Sequence, residues 1–147
     1  MPEVSVNALS ELDEASYRSI CRLLPQLSRS SALPTFDQLA QVTQSRCSQI
    51  LVARVNGDVV GMLTLVVIRI PTKLAAHIED VVVDESARGL GIGRMLTSHA
   101  LRLATEAGAR DVDLTSRPSR VAANRLYESL GFVRRESNVL RYTIDPG

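Results

Sequence analysis

The residues whose types and spacing could do chemistry cluster in one short stretch, Arg88-Gly89-Leu90-Gly91-Ile92-Gly93-Arg94. Glycines at every second position, between a strand-like run and a helix-like one, leave backbone N–H groups unpaired where the helix begins. The helix dipole adds partial positive charge at the same point. Without Cβ atoms the backbone can close on an anion, and Arg88 and Arg94 flank the loop with charge. Such a turn suits a phosphate. Two common nucleotide patterns are not met. No GxxxxGK[ST] string occurs, and a GxGxxG fingerprint would need glycine where Arg94 stands. Taken alone, the glycines could equally make a tight turn and nothing more.

The elements that must position this loop are legible around it. Residues 4–9 read as a first strand. A helix over 13–24 follows, capped by Asp13, and Pro25 and Pro34 bracket a serine-rich loop. A short helix over 35–45 has Thr35 as its cap. Residues 49–55, the turn Asn56-Gly57 and a β-branched run over 58–70 form a hairpin. Residues 75–83 make a further strand, and the glycine loop comes next. Apolar positions 92, 95, 96, 100, 103, 104 and 107 then keep helical period until Gly108. A strand over 111–115, a helix over 121–130 closed by Gly131, and two strands over 132–134 and 139–144 complete the order. This is an α/β (α+β) pattern, a mixed sheet with helices on its faces.

The 147 residues fit one domain spanning 1–147, since single cores hold roughly 100–200 residues. Apolar residues make 45% and charged residues 22% of the chain, which is ordinary for a globular protein. A net charge of +1 and 3% aromatics leave neither a polybasic footprint nor a base-stacking surface, so no nucleic-acid partner is expected. The longest apolar stretch, near residues 62–68, is far short of the roughly 20 needed to span a bilayer. The opening residues MPEVSVNALS lack a basic region followed by an apolar run, so no signal peptide is expected, and the expected location is the cytoplasm. Cys21 and Cys47 have no CxxC spacing and no His cluster beside them. They are expected to be reduced thiols, and no metal site is expected.

The loop resembles the Q/R-x-x-G-x-G/A signature of the Gcn5-related N-acetyltransferase (GNAT) superfamily. A second segment, Ala123-Asn124-Arg125-Leu126-Tyr127-Glu128-Ser129-Leu130-Gly131-Phe132, resembles that superfamily's later motif, a helix that carries a tyrosine and ends in Gly-Phe. The resemblance is specific over residues 75–135. Earlier in the chain it rests on element order, and that half normally shapes the acceptor site. It implies a mixed, mostly antiparallel sheet of about six to seven strands with helices on both faces. It also implies acetyl-CoA as cofactor. Backbone groups of Val81 and Val83 would pair with the pantetheine arm where strands 77–83 and 111–115 splay apart. The N–H groups of Arg88, Gly89, Gly91, Ile92, Gly93 and Arg94 would take the pyrophosphate. Many relatives carry an asparagine where Arg120 stands, and Asn124 is the substitute expected here. Dimers are common in the superfamily, so a homodimer stays open.

Acyl transfer from a thioester to an amine needs a base for the amine, a donor at the carbonyl oxygen and a proton for the leaving thiolate. The resemblance places Tyr127 as the acid beside the thiolate; packing helix against sheet is its alternative role. Glu79 is the candidate base, directly or through water, with Asp80, His77 or water alone as alternatives. Strand alternation puts His77, Glu79, Val81 and Val83 on one face. A carboxylate in mid-strand could instead pair with a buried arginine. The string Arg117-Pro118-Ser119-Arg120 could meet a phosphate of cofactor or acceptor, or be a solvated loop. The expected reaction is N-acetylation of a primary amine, on a small molecule or a protein, in a ternary complex. A non-catalytic acyl-CoA-binding regulatory module would carry the same cofactor motif.

Overall fold

The computed structural model describes residues 2–145. Its elements run β1 (Val4–Ala8), α1 (Glu14–Leu27), α2 (Phe36–Gln44), β2 (Ser48–Val55), β3 (Asp58–Ile70), β4 (Lys73–Val83), a 3₁₀ turn (Glu85–Ala87), α3 (Ile92–Ala107), β5 (Asp111–Asp113) and α4 (Val121–Ser129). One sheet has the order β1-β2-β3-β4-β5. All its pairings are antiparallel except the parallel pair β4–β5. Among the described residues the sheet therefore has five strands, not the six to seven expected. Residues 132–134 and 139–144 form no ladder, because no neighbouring strand takes up their backbone groups.

The sheet has a core on each face. On one, Leu51, Leu63, Leu65, Ala76 and Ile78 meet Ile92, Leu96, Ala100 and Ala104 of α3. On the other, Ile50, Val52, Val59, Met62 and Val82 meet Ile20 and Leu23 of α1 and Leu39 of α2. Local signals set most boundaries. Asn56 and Gly57 both adopt positive φ (52° and 91°), as a two-residue I′ hairpin requires. Thr35 and Gln38 form a capping box at α2. Asp13 caps α1 by accepting from the Ser16 N–H at 2.7 Å.

Helix α1 does not stop before Pro25 but continues through it to Leu27. A proline this near the end of a helix sacrifices only one late backbone bond, and the Ser28 N–H still reaches the Leu24 carbonyl at 3.0 Å. The added turn carries Gln26 to the end of β4, where it matters for the site.

Two bulges interrupt the strands. In β3 an extra residue, Val60, lies opposite Ala53 and Arg54. In β4, Thr64 pairs with Glu79 but Met62 pairs with Val82, so Leu63 alone faces Asp80 and Val81. Asp80 takes φ +51° there. Aspartate tolerates that left-handed conformation better than most residues. A bulge reverses which face later residues occupy.

Candidate active site

The glycine loop is suspended between anchored ends. At its start, the Asp84 N–H donates to the Val60 carbonyl at 2.7 Å, tying the end of β4 to the bulge in β3. Gln26 of α1 grips the same corner twice. Its Nε2 donates to Asp84 Oδ1 at 2.7 Å, and its Oε1 accepts from the Glu85 N–H at 3.1 Å. Asp84 also accepts from the Ser86 backbone and hydroxyl. The Ser86 hydroxyl first, and then the Gln26 amide, hold the Asp84 carboxyl below the usual carboxylate range. Ala87 then plugs into the α3-side core. Arg88, Gly89, Leu90 and Gly91 are all exposed, and the Arg88 side chain makes no hydrogen bond to a described residue.

At its end the loop enters α3 through Gly91, in the left-handed region (φ 77°, ψ 16°), with no side-chain cap. The first intrahelical bond there runs from the Met95 N–H to the Gly91 carbonyl at 3.0 Å. The N–H groups of Ile92, Gly93 and Arg94 precede it and lack intrahelical acceptors, the arrangement that can receive an anion at a helix start. The Ile92 side chain is buried in the α3 core, so only its backbone could meet a ligand. Arg94 is exposed and donates to Ser129 Oγ at 2.6 Å, linking α3 to α4.

Gly93 has a distinct task. A Cβ placed on it would lie 3.2 Å from Leu126 Cδ2 of α4, and its φ is not in the positive range. Its bare Cα lets the first turn of α3 approach α4. Gly93→Val is therefore expected to cost stability, by about 1–3 kcal/mol of overpacking. Leu126→Ala should recover part of that loss in the double variant, as contacting pairs are non-additive. Urea unfolding of the four proteins in that cycle measures it, and strictly additive losses would remove this contact as the cause.

Beside the loop, β4 and β5 part company. Their ladder comprises Ala75↔Asp111, Ala76↔Val112 and His77↔Asp113, and there it ends, while β4 continues to Val83. β5 is thus shorter than the expected 111–115. Residues pointing to β3 alternate with residues pointing away along an antiparallel strand. Asp84 bonds to β3, so the backbone groups of Val83 and Val81 point to the open side. That side offers a free strand edge to an extended ligand.

The bulge corrects the expected face assignment. Val81 and Val83 pack with the α3-side core, as Ile78 does, whereas the pleat puts His77 and Glu79 on the α1–α2 side. Glu79 is exposed and has no hydrogen bond or ion pair with a described residue. The alternative of a buried arginine partner is excluded among those residues. Asp80 is exposed as well. His77 is half-buried at the last rung of the β4–β5 ladder.

Tyr127 is only 5% exposed. Its ring meets Phe132 edge-on, with centroids 5.7 Å apart and planes at 62°. Its hydroxyl makes no hydrogen bond to a described residue. Burial pushes the phenol above the ordinary tyrosine range, and the positive charge of Arg120 opposes this without reversing it. A tyrosine so placed keeps its proton at neutral pH. Asn124 is committed to the preceding turn, since its Nδ2 donates to the Arg117 carbonyl at 3.0 Å. The Arg120 N–H donates to the same carbonyl, so Asn124 clamps the turn 117–120. Arg117 and Arg120 are exposed.

Sequence reasoning did not find Gln26 and Asp84 as supports of the loop. Asp84-Glu85-Ser86 carries a local signal, an aspartate two residues before a serine, as in an Asx turn. Gln26 has none, because its partner lies 58 residues away.

The sequence model of the Acetyltransferase (GNAT) family matches residues 8–132. A glucosamine 6-phosphate N-acetyltransferase of Trypanosoma brucei brucei is 31% identical over 132 residues, covering 84% of this chain and 87% of that protein. A mycothiol acetyltransferase of Thermomonospora curvata is 44% identical over 64 residues; the match covers 44% of this chain and only 22% of that protein's length. Among solved structures, a putative acetyltransferase from Agrobacterium tumefaciens str. C58 superposes with a TM-score of 0.84 at 27% identity, over 95% of this chain and 99% of the other.

Proposed function

Because the chain belongs to the GNAT acetyltransferase family and is an acyl-CoA-dependent N-acetyltransferase, we propose that it transfers the acetyl group of acetyl-CoA to a primary amine of a small molecule, by direct attack in a ternary complex. The observation that carries this reading is the uncapped start of α3, behind an exposed, doubly anchored glycine loop beside the gap between β4 and β5. The Trypanosoma relative, named for an amino-sugar phosphate, makes amino sugars the acceptors to try first.

Bound acetyl-CoA would supply an activated acetyl thioester. The N–H groups of Ile92, Gly93 and Arg94, with those of Arg88, Gly89 and Gly91 nearby, hold the pyrophosphate in this reading. The open-side backbone of Val81 and Val83 aligns the pantetheine arm as an added strand. Glu79, on the α1–α2 side, accepts the amine proton directly or through water, with Asp80, His77 or water alone as the other candidates. The nitrogen–carbon bond forms, the carbon–sulfur bond breaks, and the Tyr127 hydroxyl delivers a proton to the departing thiolate. Nothing in this sequence of steps calls on a metal, and no group of metal-ligating side chains is found among the described residues.

The test is a panel of amines, headed by glucosamine 6-phosphate, incubated with acetyl-CoA while free thiol release is followed. At about 100 times its dissociation constant, acetyl-CoA should raise unfolding stability by roughly 2.7 kcal/mol, read as a higher melting temperature. An unshifted melting temperature at saturating cofactor defeats the cofactor assignment. A clear shift with no thiol release from any amine of the panel would keep the cofactor assignment and remove those amines as acceptors.

A further inference from the structure

Tyr127 meets a difficulty as an acid. A phenol that gives up its proton leaves a phenolate, and this residue is only 5% exposed. Burial disfavours a bare charge there. The hydroxyl makes no hydrogen bond to a described residue that could share the charge. Another group must steady the negative oxygen.

Helix geometry names it. Arg120 is the N-cap of α4, and Tyr127 stands seven residues later. Seven residues make almost two turns, so the two lie on one face of the helix, with Asn124 between them. Helical side chains lean toward the N-terminus, which carries the Tyr127 ring back toward the end where Arg120 stands. The guanidinium's charge acts on the phenol, and no other charged side chain among the described residues does so. Backbone contacts fix Arg120 in place. Its N–H donates to the Arg117 carbonyl at 3.0 Å, and Asn124 Nδ2 donates to the same oxygen at 3.0 Å. Its own carbonyl accepts from the Asn124 N–H at 3.0 Å. The guanidinium has no hydrogen bond or ion pair with a described residue, so no carboxylate neutralises its charge. The start of α4 adds to that charge. No side chain caps it, and its first N–H groups carry the positive pole of the helix.

We propose that Arg120 is a positioning residue that stabilises the negative charge left on Tyr127 Oη as its proton departs. The inference rests on the reading of Tyr127 as the acid. The Tyr127 O–H bond breaks, an S–H bond forms on the leaving thiolate, and the electron pair stays on Tyr127 Oη until water returns a proton. A cation beside that oxygen favours the charged form and so makes the phenol a stronger acid. Arg125 provides a control on the same helix. It is exposed, stands about 200° around the helix from Tyr127, and does not act on the phenol.

The test begins on the free protein with difluorotyrosine at position 127, whose phenol titrates below that of tyrosine and whose fluorines report it alone. Fluorine NMR should show a higher titration midpoint in Arg120→Gln and unchanged midpoints in Arg120→Lys and Arg125→Gln. The difference should narrow in high salt, because the guanidinium is exposed. With an amine that releases thiol from acetyl-CoA, Arg120→Gln should slow single turnover by about 3–30-fold, less than the loss of the acid itself, while acetyl-CoA affinity holds. Arg120→Lys should restore the rate. In a Tyr127→Phe background Arg120→Gln should cost nothing more, since residues acting through one group are non-additive. A midpoint that ignores Arg120→Gln, or that moves as far in Arg125→Gln, overturns the proposal. So does a rate loss that persists in the Tyr127→Phe background. A Tyr127→Phe protein with full rate overturns it through the acid reading itself, and that failure is told apart by a midpoint that still follows Arg120.

Discussion

Replacing Tyr127 with phenylalanine is expected to lower the single-turnover rate of acetyl transfer by about 10²–10⁴-fold, the span for a positioned general acid, and to leave acetyl-CoA affinity unchanged. The structure makes this substitution unusually clean. The ring is buried edge-on against Phe132, and phenylalanine keeps that packing. The hydroxyl has no described hydrogen-bond partner, so its removal strands no buried donor or acceptor. The rate loss corresponds to about 2.7–5.4 kcal/mol of transition-state stabilisation. Burial holds the phenol above its ordinary range. The wild-type rate should therefore show no decline from this group at pH values below about 10, the unperturbed tyrosine value. Rapid-quench measurement at saturating cofactor separates the chemical step from product release. A Tyr127→Phe protein with full single-turnover rate ends the acid assignment and leaves water to protonate the thiolate.

Gly91→Val should weaken acetyl-CoA binding by about 10–100-fold. The estimate follows from losing one or two charged-group hydrogen bonds at roughly 1.5–3 kcal/mol each, moderated by partial rearrangement. Gly91 sits at φ +77°, where a β-branched residue is a genuine outlier. The added Cβ itself meets no atom within 4 Å, so the cost is conformational and not a clash. In the left-handed region that cost is roughly 1–2 kcal/mol, which in a domain of this size lowers the melting temperature by roughly 2–8 °C. Relieving the strain would rotate the peptide that leads into α3 and turn its N–H groups away from the anion. Titration calorimetry beside circular dichroism separates the two effects. Undiminished affinity in a folded Gly91→Val protein would remove the phosphate role from this position. Gly93 provides the contrast, since the damage expected there arises from Leu126 and appears first in stability.

Much of this was readable in advance because the deciding contacts are short in sequence. The Asn56-Gly57 turn, the Thr35–Gln38 box, the Asp13 cap and the Gly108 end of α3 each close within a few residues. Their residue types therefore carry the answer. The same holds for the glycine loop before α3, and the family reading from two spaced motifs agrees with the match over residues 8–132.

Other features depended on partners that local pattern does not name. Alternation assigned Glu79 and Val83 to one face, but the bulge at Asp80 separates them, and it exists only because Leu63 pairs across two residues of β4. Pro25 was read as a helix end, yet one more turn proved tolerable and placed Gln26 against Asp84. The strand pattern of 139–144 marks it as ready to pair, but a strand's backbone bonds are made with a neighbour and not within itself. Residue type and spacing thus determined which segments are helices, which are strand-competent, and where the glycine loop enters α3. Only the tertiary structure decided register, face and edge, because each is set by backbone partners distant in the chain.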